Sequence, residues 1–316
     1  VARAFAAEPG PALDERLATD GTLALVVVRD GALTCERYPA GGGPERPAAL
    51  FSVSKTITSL LVARAVAAGA LPSLDERITR WVPVIGARDP RLVAIDLAAL
   101  LDMRSGLAYR EEARPPWVDQ DAPAVYYASD LATTVLRRAR REAAPGGFVY
   151  NDYGPNLLGL ALERATGARA PALTAALWAE LGAESAASWS VDDEGLAWFE
   201  SGLVATARDL ARVGQLVLDG GKVGDRQVAP PAFIARSLDP AGRAPVVDFG
   251  GVRLGYRNGW WVLGDGALAG MGRHGQILLV SPATRTVIVR LGESGHAETN
   301  AALVSRLEIG RASCRE

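Results

Sequence analysis

The stretch Phe51-Ser52-Val53-Ser54-Lys55-Thr56-Ile57-Thr58-Ser59-Leu60-Leu61 decides how the rest of the chain is read. From residue 52 to residue 68 the apolar side chains Ile57, Leu60, Leu61 and Val66 recur at helical spacing, and the run stops at Gly69. Ser52 therefore stands at a predicted helix N-terminus, with Lys55 one turn on and on the same face. A seryl hydroxyl is a poor nucleophile at neutral pH. It needs a base within hydrogen-bond reach, and the oxyanion formed by its attack needs fixed donors. Lys55 can meet the first need and the positive end of the helix contributes to the second. Taken alone, a Ser and a Lys at this spacing read first as a helix cap and a solvated cation. The apolar character of the helix favours chemistry, because it predicts burial, and a buried Lys with no acidic partner is costly.

Upstream, Thr22–Arg29 (TLALVVVR) and residues 33–38 (LTCERY) are rich in β-formers and flank Asp30-Gly31, a tight-turn dipeptide, which predicts an antiparallel hairpin. Downstream, residues 97–101, 131–141, 156–166 and 171–181 carry helical patterns between Gly- and Pro-containing loops. Sheet signals return at 253–263, 276–280 and 286–291, and 299–307 predicts a closing helix. The fold class expected is α/β (α+β): an antiparallel sheet built from both termini and flanked by helices, with a helical insertion. Residues 1–50 and 188–307 would form the sheet region, and 51–187 the mainly helical region carrying Ser52, Lys55 and Tyr150. The ending Glu308-Ile309-Gly310-Arg311-Ala312-Ser313-Cys314-Arg315-Glu316 has no apolar period and reads as a translated library adapter, a non-native tail outside the fold, with a natural disordered tail as the alternative. Cys35 and Cys314 are too few for a disulfide framework.

Two further segments carry chemistry. Phe148-Val149-Tyr150-Asn151-Asp152-Tyr153 follows Pro145-Gly146-Gly147 and offers Tyr150, whose phenol, with a reference pKa of about 10, can share a proton with Lys55 and relay it to a leaving group. Its other reading is an aromatic packed at a loop corner. Gly270-Met271-Gly272-Arg273-His274-Gly275-Gln276 runs into a predicted strand. The main-chain N–H of Gln276, with that of Ser52, would complete an oxyanion hole, and Arg273 and His274 would bind a carboxylate or orient the acyl group. A plain hairpin turn is the alternative; a phosphate cradle is disfavoured because the loop enters a strand rather than a helix.

These three segments, in this order, resemble the serine β-lactamase and penicillin-binding protein superfamily. Ser52 and Lys55 match its S-x-x-K element and Tyr150 to Asp152 its Y-x-N element; Arg273-His274-Gly275 matches its third box less well. Leu100-Leu101-Asp102-Met103-Arg104-Ser105-Gly106-Leu107 and Ser201-Gly202-Leu203-Val204-Ala205-Thr206-Ala207-Arg208-Asp209-Leu210-Ala211-Arg212 look like the class C-like branch of 6-aminohexanoate-dimer hydrolases and related esterases. The resemblance, from about residue 23 to 307, implies a β-lactamase/transpeptidase-like fold. It also implies hydrolysis of an amide or short-chain ester through an acyl-Ser52 intermediate, with Lys55 and Tyr150 moving protons. Asp152, Arg273, His274 and Gly275 would contact substrate, with no metal and no organic cofactor. Asp152 stands where the family has Asn or Ser, and Arg273 where it has Lys or His. The reading from another class is a catalytically silent sensing or binding module.

Composition narrows the partners. At 316 residues and 49% hydrophobic content the chain can bury a large core, and 34 Lys plus Arg against 36 Asp plus Glu gives a charge of -2, with no broad attraction to nucleic acid. The partner expected is a small-molecule or short-peptide amide or ester. No apolar run approaches the roughly 20 residues of a membrane span. The sequence shows no basic-then-apolar leader, which leans toward the cytoplasm, with the periplasm or secretion after removal of a leader as the alternatives. Gly292-Glu293-Ser294-Gly295-His296 fails the G-x-S-x-G elbow at its last position, and His274 and His296, the two histidines, lack zinc-site spacing. Trp260 and Trp261 would face opposite sides of a strand, and Trp117, Tyr126 and Tyr127 fall in a loop that reads as a lid or an anchor.

Overall fold

The computed structural model describes residues 10–39, 41–111, 120–142, 146–249 and 252–293. The expected closing helix at 299–307, the tail at 308–316, Trp117, Pro145 and His296 lie outside the described residues. The chain enters through α1 (Gly10–Thr19) and the hairpin β1 (Thr22–Arg29) and β2 (Ala32–Arg37). Asp30 and Gly31 both take positive φ, 49° and 76°, the backbone that a two-residue turn between right-twisted strands demands. Helical structure follows, chiefly α2 (Ser54–Ala67), α3 (Tyr153–Thr166), α4 (Ala170–Leu181) and α5 (Ala207–Leu218). The chain then returns to sheet with β3 (Val247–Phe249), β4 (Val252–Arg257), β5 (Trp260–Val262), β6 (Leu268–Gly272), β7 (Gln276–Ser281) and β8 (Thr286–Gly292).

These strands form one eight-stranded sheet in the order β2-β1-β8-β7-β6-β5-β4-β3. Every pairing is antiparallel, and the register of β1 on β8 runs Val26 to Val289 and Val28 to Val287, which joins the two ends of the described chain. Period-two alternation sends Ala24, Val26, Leu278 and Val280 to the face covered by the helical layer, and Leu25, Val27, Ile277 and Leu279 to the face covered by Leu13 and Leu17 of α1. Trp260 and Trp261 separate the same way, one into each core, as adjacent strand residues must.

Four sequence expectations change. The run 253–263 is two strands, because Asn258 and Gly259 take φ of 51° and 77° and close a second tight hairpin. The segment 270–276 is mostly strand β6 plus a short turn rather than a loop. The helix expected at 131–141 ends at Arg138, where Ala139 leaves helical backbone with ψ of 114°. Helix α5 was not anticipated at all; it packs across β1, β7 and β8, and Thr206 caps it by accepting from the Asp209 N–H at 3.2 Å.

Helix α2 is buried almost all round despite its hydroxyls; Ser59 bonds back to the Thr56 carbonyl, and the other three have main-chain partners in other segments. Ser54 Oγ accepts from Leu203 N–H at 3.0 Å, Thr56 donates to the Gly259 carbonyl at 3.0 Å, and Thr58 donates to the Phe199 carbonyl at 2.8 Å. The helix is thus fixed between the sheet, α3 and the strand Leu203–Ala205. No described helix is long and apolar enough to cross a membrane.

Candidate active site

Ser52 lies one step earlier than the helix expected to carry it, in a 3-10 turn, Phe51–Val53, that feeds α2. The turn begins with a kink. Phe51 holds φ of 48°, left-handed backbone that costs a bulky residue about 1–2 kcal/mol, and it is kept there by its surroundings. Ala48–Ala49 pairs with Leu203–Ala205, Leu50 N–H donates to the Leu203 carbonyl at 2.8 Å, and the Phe51 ring meets the His274 ring edge-on at 5.1 Å. Strand β6 supplies the floor. A Cβ on Gly272 would lie 2.3 Å from the Leu50 carbonyl oxygen, and one on Gly270 would press on Val53 and Thr56, so only glycine lets the nucleophile turn rest on the sheet.

The Lys55 side chain is buried at 3% exposure, while Ser52 is half-buried and reachable. The Lys55 amine donates to Ser52 Oγ at 3.0 Å and to the Glu200 main-chain oxygen at 3.2 Å, and it forms an ion pair with Asp152 Oδ1 at 2.8 Å. All three ammonium protons have partners. The ion pair corrects two expectations. Lys55 does have an acidic partner, and Asp152, expected to contact substrate, is buried with its second oxygen accepting from the Tyr109 hydroxyl at 2.5 Å.

The Tyr150 phenol faces the Ser52 hydroxyl, which favours its ionised form, and the Lys55 amine lies 4.8 Å from the ring centroid. The ring stacks on Trp261 at 5.3 Å and meets Tyr256 edge-on at 6.0 Å, so the two aromatics of β4 and β5 set its plane. Its main chain is held by the 100–107 motif: Val149 N–H donates to the Met103 carbonyl at 2.9 Å, and Met103 itself sits at φ of 55°. Asp102 anchors that motif across the layers, accepting from Arg236 at 3.1 and 2.7 Å, from Arg257 at 3.4 Å and from Asn258 N–H at 2.9 Å. Asn151 closes the entry to α3, its Oδ1 accepting from Gly154 N–H at 2.7 Å.

The third segment forms the turn between β6 and β7. Arg273 and His274 are exposed beside Phe51, with the Arg273 guanidinium 5.9 Å from the Tyr126 ring centroid. Gly275 is buried, and its carbonyl accepts from Arg290 at 2.8 Å; Arg290, buried with no carboxylate ion pair among the described residues, also bonds Thr22 Oγ1 and the Asp20 carbonyl. The Gln276 N–H, expected as an oxyanion donor, is already engaged within its own turn. It donates to the Arg273 carbonyl, and the Gln276 side chain exchanges two hydrogen bonds with the Gly292 main chain. Tight curvature at His274 and Gly275, with φ of 62° and 80°, folds that N–H back on its own turn.

Charge decides what this arrangement can do. Burial would push the Lys55 amine down, but Asp152 and then Tyr150 outweigh it and hold the amine well above its usual value. Burial pushes the Tyr150 phenol up, Lys55 pulls it back, Asp152 pushes again, and the result stays above the usual phenol range. At rest the site therefore holds an ammonium and a neutral phenol around the Ser52 hydroxyl. Glu200, which the sequence reading passed over, is fully buried, and burial together with the Asp152 charge pushes its carboxyl up to about 8. Its place directly before the 201–212 motif was the signal available. Among the described residues no cluster of three His, Cys, Asp or Glu side chains is arranged to hold a metal ion.

A sequence model described as Beta-lactamase matches residues 13–309. The 6-aminohexanoate-dimer hydrolase of Paenarthrobacter ureafaciens is 31% identical over 299 residues, covering 89% of this chain and 75% of that protein. Among solved structures, a Bacillus anthracis protein assigned as a 6-aminohexanoate-dimer hydrolase superposes with a TM-score of 0.81 at 25% identity, over 94% of this chain and 80% of that one. EstCE1, described as a hydrolase with promiscuous acyltransferase activity, superposes with a TM-score of 0.72 at 18% identity over 95% and 96%, a likeness that speaks to fold alone. The β-lactamase/transpeptidase-like fold expected from the motifs is the one found.

Proposed function

The chain belongs to the beta-lactamase family and is a hydrolase, and from that premise we propose that it cleaves an amide or short-chain ester through an acyl-Ser52 intermediate. The observation that carries this reading is the half-buried Ser52 hydroxyl, bonded at 3.0 Å to a Lys55 amine that itself lies 4.8 Å from the Tyr150 ring centroid. Once the Tyr150–Lys55 pair has released one proton to solvent, Ser52 attacks the carbonyl carbon, its proton passes to that pair, and the pair hands it on to the leaving amine or alcohol. Water then attacks the Ser52 ester and the same pair serves in reverse. The Ser52 N–H is the first oxyanion donor; Gln276 N–H becomes the second when a bound carbonyl competes with the Arg273 oxygen for it.

The relative's name points to a linear amide joining 6-aminohexanoate units as the first substrate to try, with short esters beside it. Arg273, exposed at the rim and in no ion pair among the described residues, fits a substrate carboxylate, and His274 and Gly275 shape the wall beside it. Asp152 acts on Lys55 rather than on the substrate. Incubation with p-nitrophenyl acetate followed by intact-mass measurement tests the proposal: the protein gains one acetyl group and Ser52→Ala gains none. An adduct that survives Ser52→Ala, or hydrolysis by that variant at the parent rate, refutes it.

A further inference from the structure

Glu200 takes no part in the steps above, yet it sits against the group that matters most to them. It is 0% exposed, and its main-chain oxygen accepts from the Lys55 amine at 3.2 Å. Its Oε1 accepts from the Ser201 hydroxyl at 3.1 Å, while Oε2 is buried with no hydrogen-bond partner. An ionised carboxylate with an orphaned oxygen is expensive inside a protein, and a carboxylic acid much less so. Four titratable groups face it: Lys55 from α2, Asp152 at the head of α3, Tyr109 from the segment after Leu97–Leu101, and Tyr126 from the end of the helix Asp121–Tyr126. Burial first, then Asp152, push the carboxyl up to about 8 against the pull of Lys55. The group is a neutral acid in a neutral solution and an anion in a mildly alkaline one.

We propose that Glu200 is a positioning residue that sets the proton affinity of the Lys55–Tyr150 pair. Neutral, it leaves Lys55 one counter-ion, Asp152. Ionised, it adds a second anion against the same ammonium and makes removal of a proton from the pair harder. This rests on the acyl-Ser52 reading, in which that pair must give up a proton before Ser52 can lose its own.

The test compares the unaltered protein with Glu200→Gln and Glu200→Asp in p-nitrophenyl acetate hydrolysis from pH 6 to 10, with Ser52→Ala as the blank. A rate limited by one deprotonation climbs about tenfold per pH unit. The parent follows that slope and flattens as Glu200 ionises, whereas E200Q keeps climbing, so the ratio of E200Q to parent kcat/KM rises several-fold between pH 7 and pH 9. E200D, which keeps an ionisable group, restores the flattening. A ratio that stays level across that range, with the rate still abolished by S52A, overturns the role of Glu200; a rate that S52A does not abolish sinks the acyl-serine reading instead. Thermal melting gives an arm free of catalysis. An acid whose folded pKa is raised contributes stability below its unfolded value near 4.3 and loses it as pH rises through the folded one. The E200Q-minus-parent difference in Tm therefore grows from pH 5 to pH 8 and levels above; a difference constant with pH overturns the proposal whether or not the variant is active.

Discussion

Replacing Asp152 tests the charge structure of the site most directly. Its carboxylate lies 2.8 Å from the Lys55 amine, and the two side chains are 10% and 2% exposed, so solvent does little to screen the pair. Removing one partner from such a pair leaves the other buried and uncompensated, at about 3–5 kcal/mol. Asp152→Ala should show that full loss. Asp152→Asn leaves an amide oxygen in place to accept from Lys55, and a hydrogen bond to a charged group recovers about 1.5–3 kcal/mol, so its net cost is about 2 kcal/mol. At about 2–4 °C per kcal/mol, Asn lowers Tm by about 4–8 °C and Ala by roughly twice that. The measurement belongs at pH 7. Because the folded amine is held above its unfolded value, the Lys55 contribution is fully present below about 10.4 and fades only as pH rises through the folded value. The pH–rate profile gives a second readout: without the anion, the Lys55–Tyr150 pair deprotonates more easily, and the acid limb for Asp152→Asn moves to lower pH. Both variants melting within about 1 °C of the parent would show that the pair does not hold the fold together. An acid limb that stays in place would show that Lys55 is not governed by Asp152.

Three other substitutions probe how the site is held. Gly272→Ala drives a Cβ into the Leu50 carbonyl oxygen 2.3 Å away, so it should cost about 1–3 kcal/mol in urea unfolding and lower kcat more than it raises KM, since it displaces the nucleophile turn. Unchanged kcat would mean that the turn does not depend on the floor beneath it. Asp102→Asn weakens the bonds to Arg236 and Arg257, which are about a quarter exposed; the loss should be about 2 kcal/mol and should reach activity through the Tyr150 segment, so a variant that is destabilised yet fully active contradicts that link. Thr206→Ala removes the cap that accepts from the Asp209 N–H at 3.2 Å, and a loss of about 1 kcal/mol with kcat/KM unchanged is expected, checked by thermal melting and a rate assay.

What was legible in the sequence were features written within a few residues of one another. Asp30-Gly31 announces its turn because both positions need positive φ, and Ser52 and Lys55 announce their contact because one helical turn brings them together. Asn258-Gly259 carries the same turn chemistry but sits inside a continuous run of β-formers, which hid it. Helix α5 was missed although Thr206 and Asp209 stand at capping-box spacing, because the segment had been absorbed into a family motif. The pairing of Asp152 with Lys55, and the burial of Glu200 against both, depend on α2 and α3 packing face to face. No local pattern encodes that, and a motif position that usually holds an amide suggested a substrate contact where the fold built an ion pair.

That ion pair decides which member of the relay takes the serine proton. Two resting complements can each release one proton. If the ammonium of Lys55 releases it, the Asp152 carboxylate stays behind in the interior with its cation gone, and a buried charge stripped of its partner is the most expensive outcome open to the site. If the phenol of Tyr150 releases it, the phenolate forms beside an intact ammonium 4.8 Å from the ring centroid, and the pair at Asp152 survives. Burial and Asp152 both oppose the phenolate, but Lys55 stabilises it directly and the Ser52 hydroxyl favours it as well. The second route leaves both buried anions beside the same ammonium, whereas the first leaves Asp152 with none. Lys55 then acts as the fixed positive charge that makes a tyrosinate attainable, and Tyr150 is the group that receives the proton from Ser52. Tyr150→Phe should accordingly remove the base itself and slow acylation of Ser52 by about 10²–10⁴-fold with Tm little changed, since the ring would still stack on Trp261; burst-phase measurement of acyl-enzyme formation checks this, and an undiminished burst would return the role of base to Lys55.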